Sequence, residues 1–256
     1  MLNAAKTVKG YSLDGSDGKI GSIKEFYFDD QFWAVRYLVA ETGKWLPGRQ
    51  VLISPHALGA IDADKRVISV KLTKKQIELS PDLSSDKPVS RQFEDTYYGY
   101  YGWPTYWSGN YMWGPYPGLV RDSDRVRNLP LPKDRGNPHL RSTREVTGYH
   151  ISATDGEVGH VTDFIIDDET WAIRYLIVDT LNWWPGKRIL LAPRWIDRVS
   201  WGESKVFVDL TRALIKDSPD YPGEYVLNRD YENGLHRHYQ RDGYWVEEVS
   251  VQEHSR

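Results

Sequence analysis

Seven aspartates, four histidines and two Arg-Glu pairs in this 256-residue sequence have the types and spacings that chemistry needs. Asp14, Asp17, Asp29 and Asp30, with Asp155, Asp167 and Asp168, offer enough carboxylates for a calcium ion. A calcium loop, however, gathers about six oxygens from alternate positions of one run and closes with a distal Glu. These acids fall in separate turn-like clusters, where Asp is favoured because its side chain hydrogen-bonds nearby backbone; they are expected to shape turns. His236 and His238, with His139 and His254, have the composition of a zinc site. An H-x-H pair shares one face of a strand, but on a helix its rings point about 200° apart. The segment reads as helical, so no metal site is expected.

Arg36 and Arg174, each inside an apolar run, are of the right type to anchor an anion. The simpler expectation is a carboxylate partner, with Asp29, Glu41 and their counterparts within reach. Glu94 follows Arg91 by three residues, as Glu232 follows Arg229. That is the spacing of a helical ion pair, expected at the surface and not as an acid–base couple. No serine or threonine stands in a nucleophile-elbow context, and no glycine run precedes a helix as a phosphate loop requires. The sequence therefore predicts no catalytic residue, no cofactor and no enzyme activity.

Partner binding is better supported. Trp45-Leu46-Pro47-Gly48-Arg49 and Trp183-Trp184-Pro185-Gly186-Lys187-Arg188 place tryptophan before a Pro-Gly turn and basic residues after it. Trp and Arg dominate interface hot spots; the plainer role for such rings is to cover their own domain. A second concentration of aromatics runs from Tyr97, Tyr98, Tyr100, Tyr101 and Trp103 through Trp107 to Tyr111, Trp113 and Tyr116. Single-strand nucleic-acid surfaces pair such rings with a basic groove, and positive charge is sparse here until Arg121. Trp103, Trp107 and Trp113 thus join the two loops as candidates for a contact with a protein partner or a second copy of the chain.

The elements that must position these residues follow from composition and repetition. The net charge is -3, so no global basic field attracts nucleic acid or anionic lipid. Absent cysteine removes disulfides, thiolate metal sites and cysteine nucleophiles together, and fits a reducing compartment. The N-terminal residues lack a signal-peptide pattern. The most apolar stretch, residues 32–40, is interrupted by Arg36 and too short to span a bilayer. A soluble, cytoplasmic protein is expected.

A shift of 138 residues brings the chain into register with itself, without a gap, over residues 2–107. Gly10-Tyr11 pairs with Gly148-Tyr149, and Asp17-Gly18-x-x-Gly21 with Asp155-Gly156-x-x-Gly159. Asp29-Asp30-x-x-Trp33-Ala34-x-Arg36-Tyr37-Leu38 pairs with Asp167-Asp168-x-x-Trp171-Ala172-x-Arg174-Tyr175-Leu176. The match continues through Arg91-x-x-Glu94 and Arg229-x-x-Glu232 to Tyr106-Trp107 and Tyr244-Trp245. Repetition over such a length indicates duplication of one folding unit. It divides the chain into a first repeat, residues 1–107, a Pro/Gly/aromatic linker, 108–138, and a second repeat, 139–256.

Within each repeat the pattern is mainly β. Residues 20–28 and 33–41 read as a hairpin around Asp29-Asp30, and Asp17-Gly18 is a tight turn before it. Val51-Leu52-Ile53 stops at Pro55, and residues 58–61 and 67–72 form another hairpin. Five or six short strands of this kind bury their apolar faces by curling into a small barrel. A helix capped by Thr73, with Gln76 completing a capping box, must end before Pro81; in the second repeat Thr211 keeps the cap but Leu214 cannot reach back. A second helix, capped by Ser90 or Asn228, aligns Phe93, Tyr97 and Tyr101, or Tyr231, Leu235 and Tyr239, on one face.

The G-Y-x-x-x-x-x-D-G-x-x-G opening, the D-D-x-x-W-x-[VI]-R-Y-L-[VI] hairpin and the W-x-P-G-[KR] element together resemble the PRC-barrel domain. That family includes the cytoplasmic domain of the photosynthetic reaction-centre H subunit and the C-terminal domain of the ribosome-maturation factor RimM. The resemblance covers both repeats and implies a small six-stranded barrel used as a docking module, without a general catalytic residue set. The chain lacks the transmembrane helix of the H subunit and the N-terminal domain of RimM. The expectation is therefore a self-associating, non-catalytic adaptor of two tandem PRC-like barrels. A ribosome-associated factor and a peripheral membrane-complex component are the alternatives that the resemblance implies.

Overall fold

The computed structural model describes residues 1–82, 89–106, 139–180 and 187–246. Strand β1 (Leu2–Ala4) and a single helical turn, α1 (Ala5–Val8), open the chain. Six strands follow: β2 (Ser12–Gly15), β3 (Gly18–Asp29), β4 (Ala34–Glu41), β5 (Gln50–Ile53), β6 (Leu58–Asp62) and β7 (Val67–Val70). Helices α2 (Lys74–Glu78) and α3 (Arg91–Tyr101) complete the first repeat. The second has β8 (Leu140–Ser142), α4 (Thr143–Val146), β9 (His150–Ala153), β10 (Gly156–Asp167), β11 (Ile173–Asp179), β12 (Arg188–Leu191), β13 (Ile196–Ser200) and β14 (Lys205–Val208). It ends with α5 (Arg212–Lys216) and α6 (Arg229–His238). The expected linker, 108–138, lies outside the described residues.

The chain folds as two compact units, and each takes its first strand from the other repeat. One unit holds residues 7–143 and 170–172; the other holds residues 1–6, 144–169 and 173–256. In the first of these the sheet runs β5-β4-β3-β2-β7-β6, with β8 added against β3. In the second it runs β12-β11-β10-β9-β14-β13, with β1 added against β10. The five or six strands predicted per repeat are thus seven per sheet, and the seventh is brought by a segment far away in sequence. Registers are equivalent: Leu140 opposes Asp29 as Leu2 opposes Asp167. The ends of each path, β5 and β6, are consecutive in the chain and joined by the 3-10 turn Pro55–Ala57. Ser54 caps that turn, its side chain accepting from the His56 amide. Pro193–Trp195 is the counterpart in the other unit.

Local sequence explains the turns. Gly18 and Gly156 have φ of 122° and 140°, a region that side chains with a Cβ avoid. Three residues on, a Cβ at Gly21 would meet the Glu41 carbonyl oxygen at 2.1 Å, and one at Gly159 that of Asp179 at 2.0 Å. The second glycine of the D-G-x-x-G motif therefore exists to let β3 and β4 approach closely. Trp33, read as the first residue of a strand, instead sits in the turn with φ of 52°, as does Trp171 with 58°. A bulky residue in the left-handed region costs on the order of 1–3 kcal/mol. Burial holds it there: Trp33 is 2% exposed and stacks on Phe28 at 5.3 Å between ring centroids.

β4 is buried along its whole length except for Glu41. An exposed barrel strand alternates in and out, so continuous burial means that something covers its outer surface. In each unit that cover includes the second helix, whose cap is as predicted: the Ser90 Oγ accepts from the Phe93 amide and the Asn228 Oδ1 from the Tyr231 amide. The Thr73–Gln76 capping box on α2 is also formed, and Thr211 caps α5 without a return bond from Leu214.

Candidate functional site

The D-D pair of each hairpin divides its work. The Asp29 Oδ1 accepts from the amides of Gln31 (2.9 Å) and Phe32 (3.3 Å), the local turn bonding expected of Asp. Its Oδ2 pairs with Arg36 at 3.4 Å, and both side chains are almost fully buried. In the other unit the Asp167 Oδ2 receives both Nε (3.1 Å) and Nη2 (2.7 Å) of Arg174. The mid-strand arginines thus have the carboxylate partner expected from Asp29, and each guanidinium also lies over a tyrosine ring: Arg36 over Tyr106 at 4.0 Å, Arg174 over Tyr244 at 3.9 Å.

The second aspartate does something the sequence does not announce. Asp30 binds the incoming strand, accepting from Arg141 Nε at 3.0 Å and meeting His139 Nδ1 at 2.9 Å, while its amide donates to the His139 carbonyl. Asp168 is the counterpart: it accepts from the Asn3 side chain at 3.1 Å and from the amino group of Met1. These aspartates are docking points for the seventh strand. Among the described residues no group of three or more His, Asp or Glu side chains is placed to hold a metal.

The largest departure from expectation is Glu94. Predicted as half of a surface ion pair, it is 0% exposed, and Glu232 is 2% exposed. Helix α3 carries it against β4, where its Oε1 accepts from the hydroxyls of Tyr37 (3.0 Å) and Tyr106 (2.7 Å). Arg91 Nη1 reaches Oε2 at 3.1 Å. Burial first, then Tyr98, Glu94 and the neighbouring tyrosines, push the Tyr37 hydroxyl well above its usual range, so it stays protonated and donates. In the other unit Glu232 accepts from Tyr175 at 2.8 Å and pairs with Arg229 at 3.2 Å. Each unit therefore holds a polar cluster of one Glu, two Tyr, two Arg and one Asp, joining the barrel strand to the helix and to Tyr106 or Tyr244 in the segment beyond it. A carboxylate with four hydrogen-bonding sites tolerates burial when donors fill them.

His236, the helical i+4 neighbour of Glu232, extends this cluster in the second repeat; Tyr98 stands at the equivalent place in the first. His236 Nε2 is 3.0 Å from the Tyr175 hydroxyl, and Nδ1 is 3.0 Å from the Asp242 carbonyl oxygen. Burial lowers its pKa below the ordinary value of 6.5. His238 points elsewhere, to the Leu214 carbonyl at 2.8 Å, which fits the divergence expected of an H-x-H pair on a helix.

Residues 142–215 match the family model described as PRC-barrel domain. The second repeat contains a PRC-barrel domain. The match spans the strands β9 to β14 and most of α5 and stops before α6. Helix α6, with Glu232 and His236, lies beyond the matched residues. The first-repeat unit reproduces the same strand order and register at the 138-residue offset. A comparison with curated proteins found no match.

The partner-binding candidates are dispersed around the PRC-type frame. Trp45 is half-buried: its ring N–H donates to the Ile20 carbonyl at 2.5 Å, and Lys74 Nζ lies 5.7 Å from the ring centroid. With Lys19, Glu41 and Lys44 it walls a cavity of about 460 Å³. Pro47 is exposed. Arg49 is turned inward: Nη1 donates to the Glu78 carbonyl at 2.6 Å, Nη2 to that of Ser80, and Nε meets Asp82 at 3.2 Å. Lys187 likewise donates to the Lys216 carbonyl and Arg188 to that of Pro222 (2.8 Å). Arg49 and Lys187 thus bind carbonyls at the ends of α2 and α5, where a cation also meets the helix dipole favourably, while Arg188 binds the chain beyond α5. Trp103 is half-buried beside α3. Trp183, Trp184, Pro185, Trp107 and Trp113 lie outside the described residues.

Proposed function

We propose that the chain is a non-catalytic adaptor that docks a protein partner on an aromatic patch of its first repeat. The observation that carries this reading is a difference between two otherwise equivalent units. In the first-repeat unit Leu79 is 63% and Tyr100 41% exposed. Tyr100 meets Tyr101 edge-on at 4.8 Å, Tyr101 stacks on Trp103 at 4.4 Å, and Trp103 stacks on His56 at 5.6 Å. At the same offset the second repeat has Asp217, His238 and Arg241 in place of Leu79, Tyr100 and Trp103. Two copies with one ancestral surface have thus kept their internal polar clusters, while at these three positions only the first carries apolar and aromatic groups; the exposed Tyr225 and Val246 of the other unit stand at other positions. Tyr and Trp anchors of this kind supply contact area at low entropic cost and dominate interface energetics.

The carboxylates and tyrosines most suited to proton chemistry are engaged with one another inside each unit, which supports a structural use for them. No helix among the described residues is long and apolar enough to cross a membrane. The reading is tested by in-cell cross-linking and affinity purification of wild type against a Leu79→Ser/Tyr100→Ala variant. The adaptor reading predicts that one protein partner is lost from the variant. An unchanged partner set, or recovery of ribosomes in place of a protein partner, contradicts it.

A further inference from the structure

The Tyr175 hydroxyl has one proton and two neighbours that both need it. On one side stands the Glu232 Oε1 at 2.8 Å, on the other His236 Nε2 at 3.0 Å. The state of His236 is constrained from its far side, because Nδ1 faces the Asp242 carbonyl at 3.0 Å, and a carbonyl only accepts. Nδ1 must therefore carry a hydrogen. In the neutral imidazole Nε2 is then bare and requires the Tyr175 proton, leaving two oxygens, Glu232 Oε1 and Tyr175 Oη, facing each other without one. With a proton added, Nε2–H donates to Tyr175, Tyr175 donates to Glu232, and Nδ1–H donates to Asp242. All three contacts are then filled.

We propose that Glu232, Tyr175 and His236 form a proton-binding relay specific to the second repeat, in which uptake of one solvent proton by His236 turns the Tyr175 hydroxyl from His236 to Glu232. The first repeat cannot do this, because Tyr98 stands where the second has the imidazole; Glu94 and Glu232 each take two tyrosine hydroxyls.

The charges around His236 set where the relay responds. On its own helix Glu232 and Arg229 are near; β11 contributes Tyr175; the turn Pro193–Trp195 contributes Arg194 and the Trp195 ring at 5.2 Å. The segment after the helix contributes the Asp242 carbonyl and the Trp245 ring at 5.0 Å. Burial, Arg194 and Arg229 oppose the added proton, and the backbone contacts with Asp242 and Arg241 favour it. The transition therefore lies on the acid side of the ordinary histidine value. Its consequence is local: the bond to Asp242 becomes charge-assisted, and such bonds are roughly twice as strong as neutral ones. Acid thereby fastens the segment that carries Tyr244 and Trp245.

The test is a pH series of imidazole nitrogen shifts for His236 in the full chain, for wild type, Tyr175→Phe and Glu232→Gln. At pH 8 the wild-type ring is expected as the Nδ1–H tautomer. Glu232→Gln removes a negative charge that favours the imidazolium, and Tyr175→Phe loses a charge-assisted bond in the imidazolium against a weaker neutral one in the imidazole, so each is expected to lower the His236 pKa by about one unit. An Nε2–H tautomer in wild type overturns the proposal without any variant. So does a His236 pKa that is the same in all the proteins that fold.

Discussion

Arg141 donates its Nε hydrogen to the Oδ2 of Asp30 at 3.0 Å, across 111 residues of chain. The bond fixes a strand of three residues, too short to hold by its ladder alone, to a sheet formed by the other repeat. Asp30→Ala removes the acceptor for both Arg141 and His139. Charge-assisted bonds of this kind contribute about 1.5–3 kcal/mol. Amide exchange at residues 140–142 is therefore expected to quicken by one to two orders of magnitude on that energy, with β4 protected as before. Unchanged exchange would mean that the ladder alone holds the strand.

The polar cluster beneath α3 makes a graded prediction. Tyr37→Phe deletes one of the two hydroxyls on Glu94 and is expected to cost about 1 kcal/mol. Glu94→Ala leaves Arg91 and both tyrosines without their common acceptor and is expected to cost about 3 kcal/mol or more. Denaturant titration followed by a probe in the first-repeat unit separates these values. Equal, small losses would return Glu94 to the surface role its spacing suggests.

That cluster also shows what the sequence carried and what it hid. Asp29, Arg36, Tyr37, Arg91, Glu94 and Tyr106 all recur at the 138-residue offset as Asp167, Arg174, Tyr175, Arg229, Glu232 and Tyr244. The repeat comparison therefore contained the signal, since a solvent-facing ion pair needs no fixed tyrosines. The i,i+3 spacing concealed it, because that spacing is the same for exposed and buried pairs. Strands, turns and caps were legible because their causes are local: Gly18 supplies a φ, Thr73 an acceptor, Pro55 a missing donor. The exchanged strands were not, because Leu2–Ala4 and Leu140–Ser142 are equivalent by duplication, and pairing within a repeat and pairing across repeats read identically. Arg49 and Lys187 misled for a related reason: a basic residue beside an exposed turn is the same letter whether it faces solvent or a helix end.

Asp163 gives the fold a pH dependence of definite sign. Burial is the main cause that raises its pKa from 3.8 to about 6, partly offset by the amides of Phe164 and Lys6, the latter donating at 3.2 Å. Between these values the folded state keeps a proton that the unfolded chain has lost. The contribution of Asp163 is thus most favourable below pH 4 and declines as pH rises to about 6. The full decline is on the order of 3 kcal/mol. Asp163→Asn keeps the acceptor for Lys6 without the charge. It is expected to raise the midpoint of thermal unfolding at pH 8 and to flatten its dependence between pH 4 and 7. A lower midpoint at pH 8 would refute the assignment.

Arg49 separates structural from interfacial roles. Because its guanidinium binds the carbonyls of Glu78 and Ser80, Arg49→Ala is expected to destabilise the first-repeat unit by about 1–2 kcal/mol while leaving the bound partner unchanged. Loss of the partner from a variant that remains folded would assign Arg49 to the interface.

Photo-cross-linking at two equivalent positions tests the adaptor reading most directly. A photoreactive residue replaces Tyr100 in one protein and His238 in another, and each is expressed and irradiated in cells. The account predicts a discrete protein adduct from position 100 that is absent at position 238. Equal adducts from both positions, or none from position 100, would contradict it.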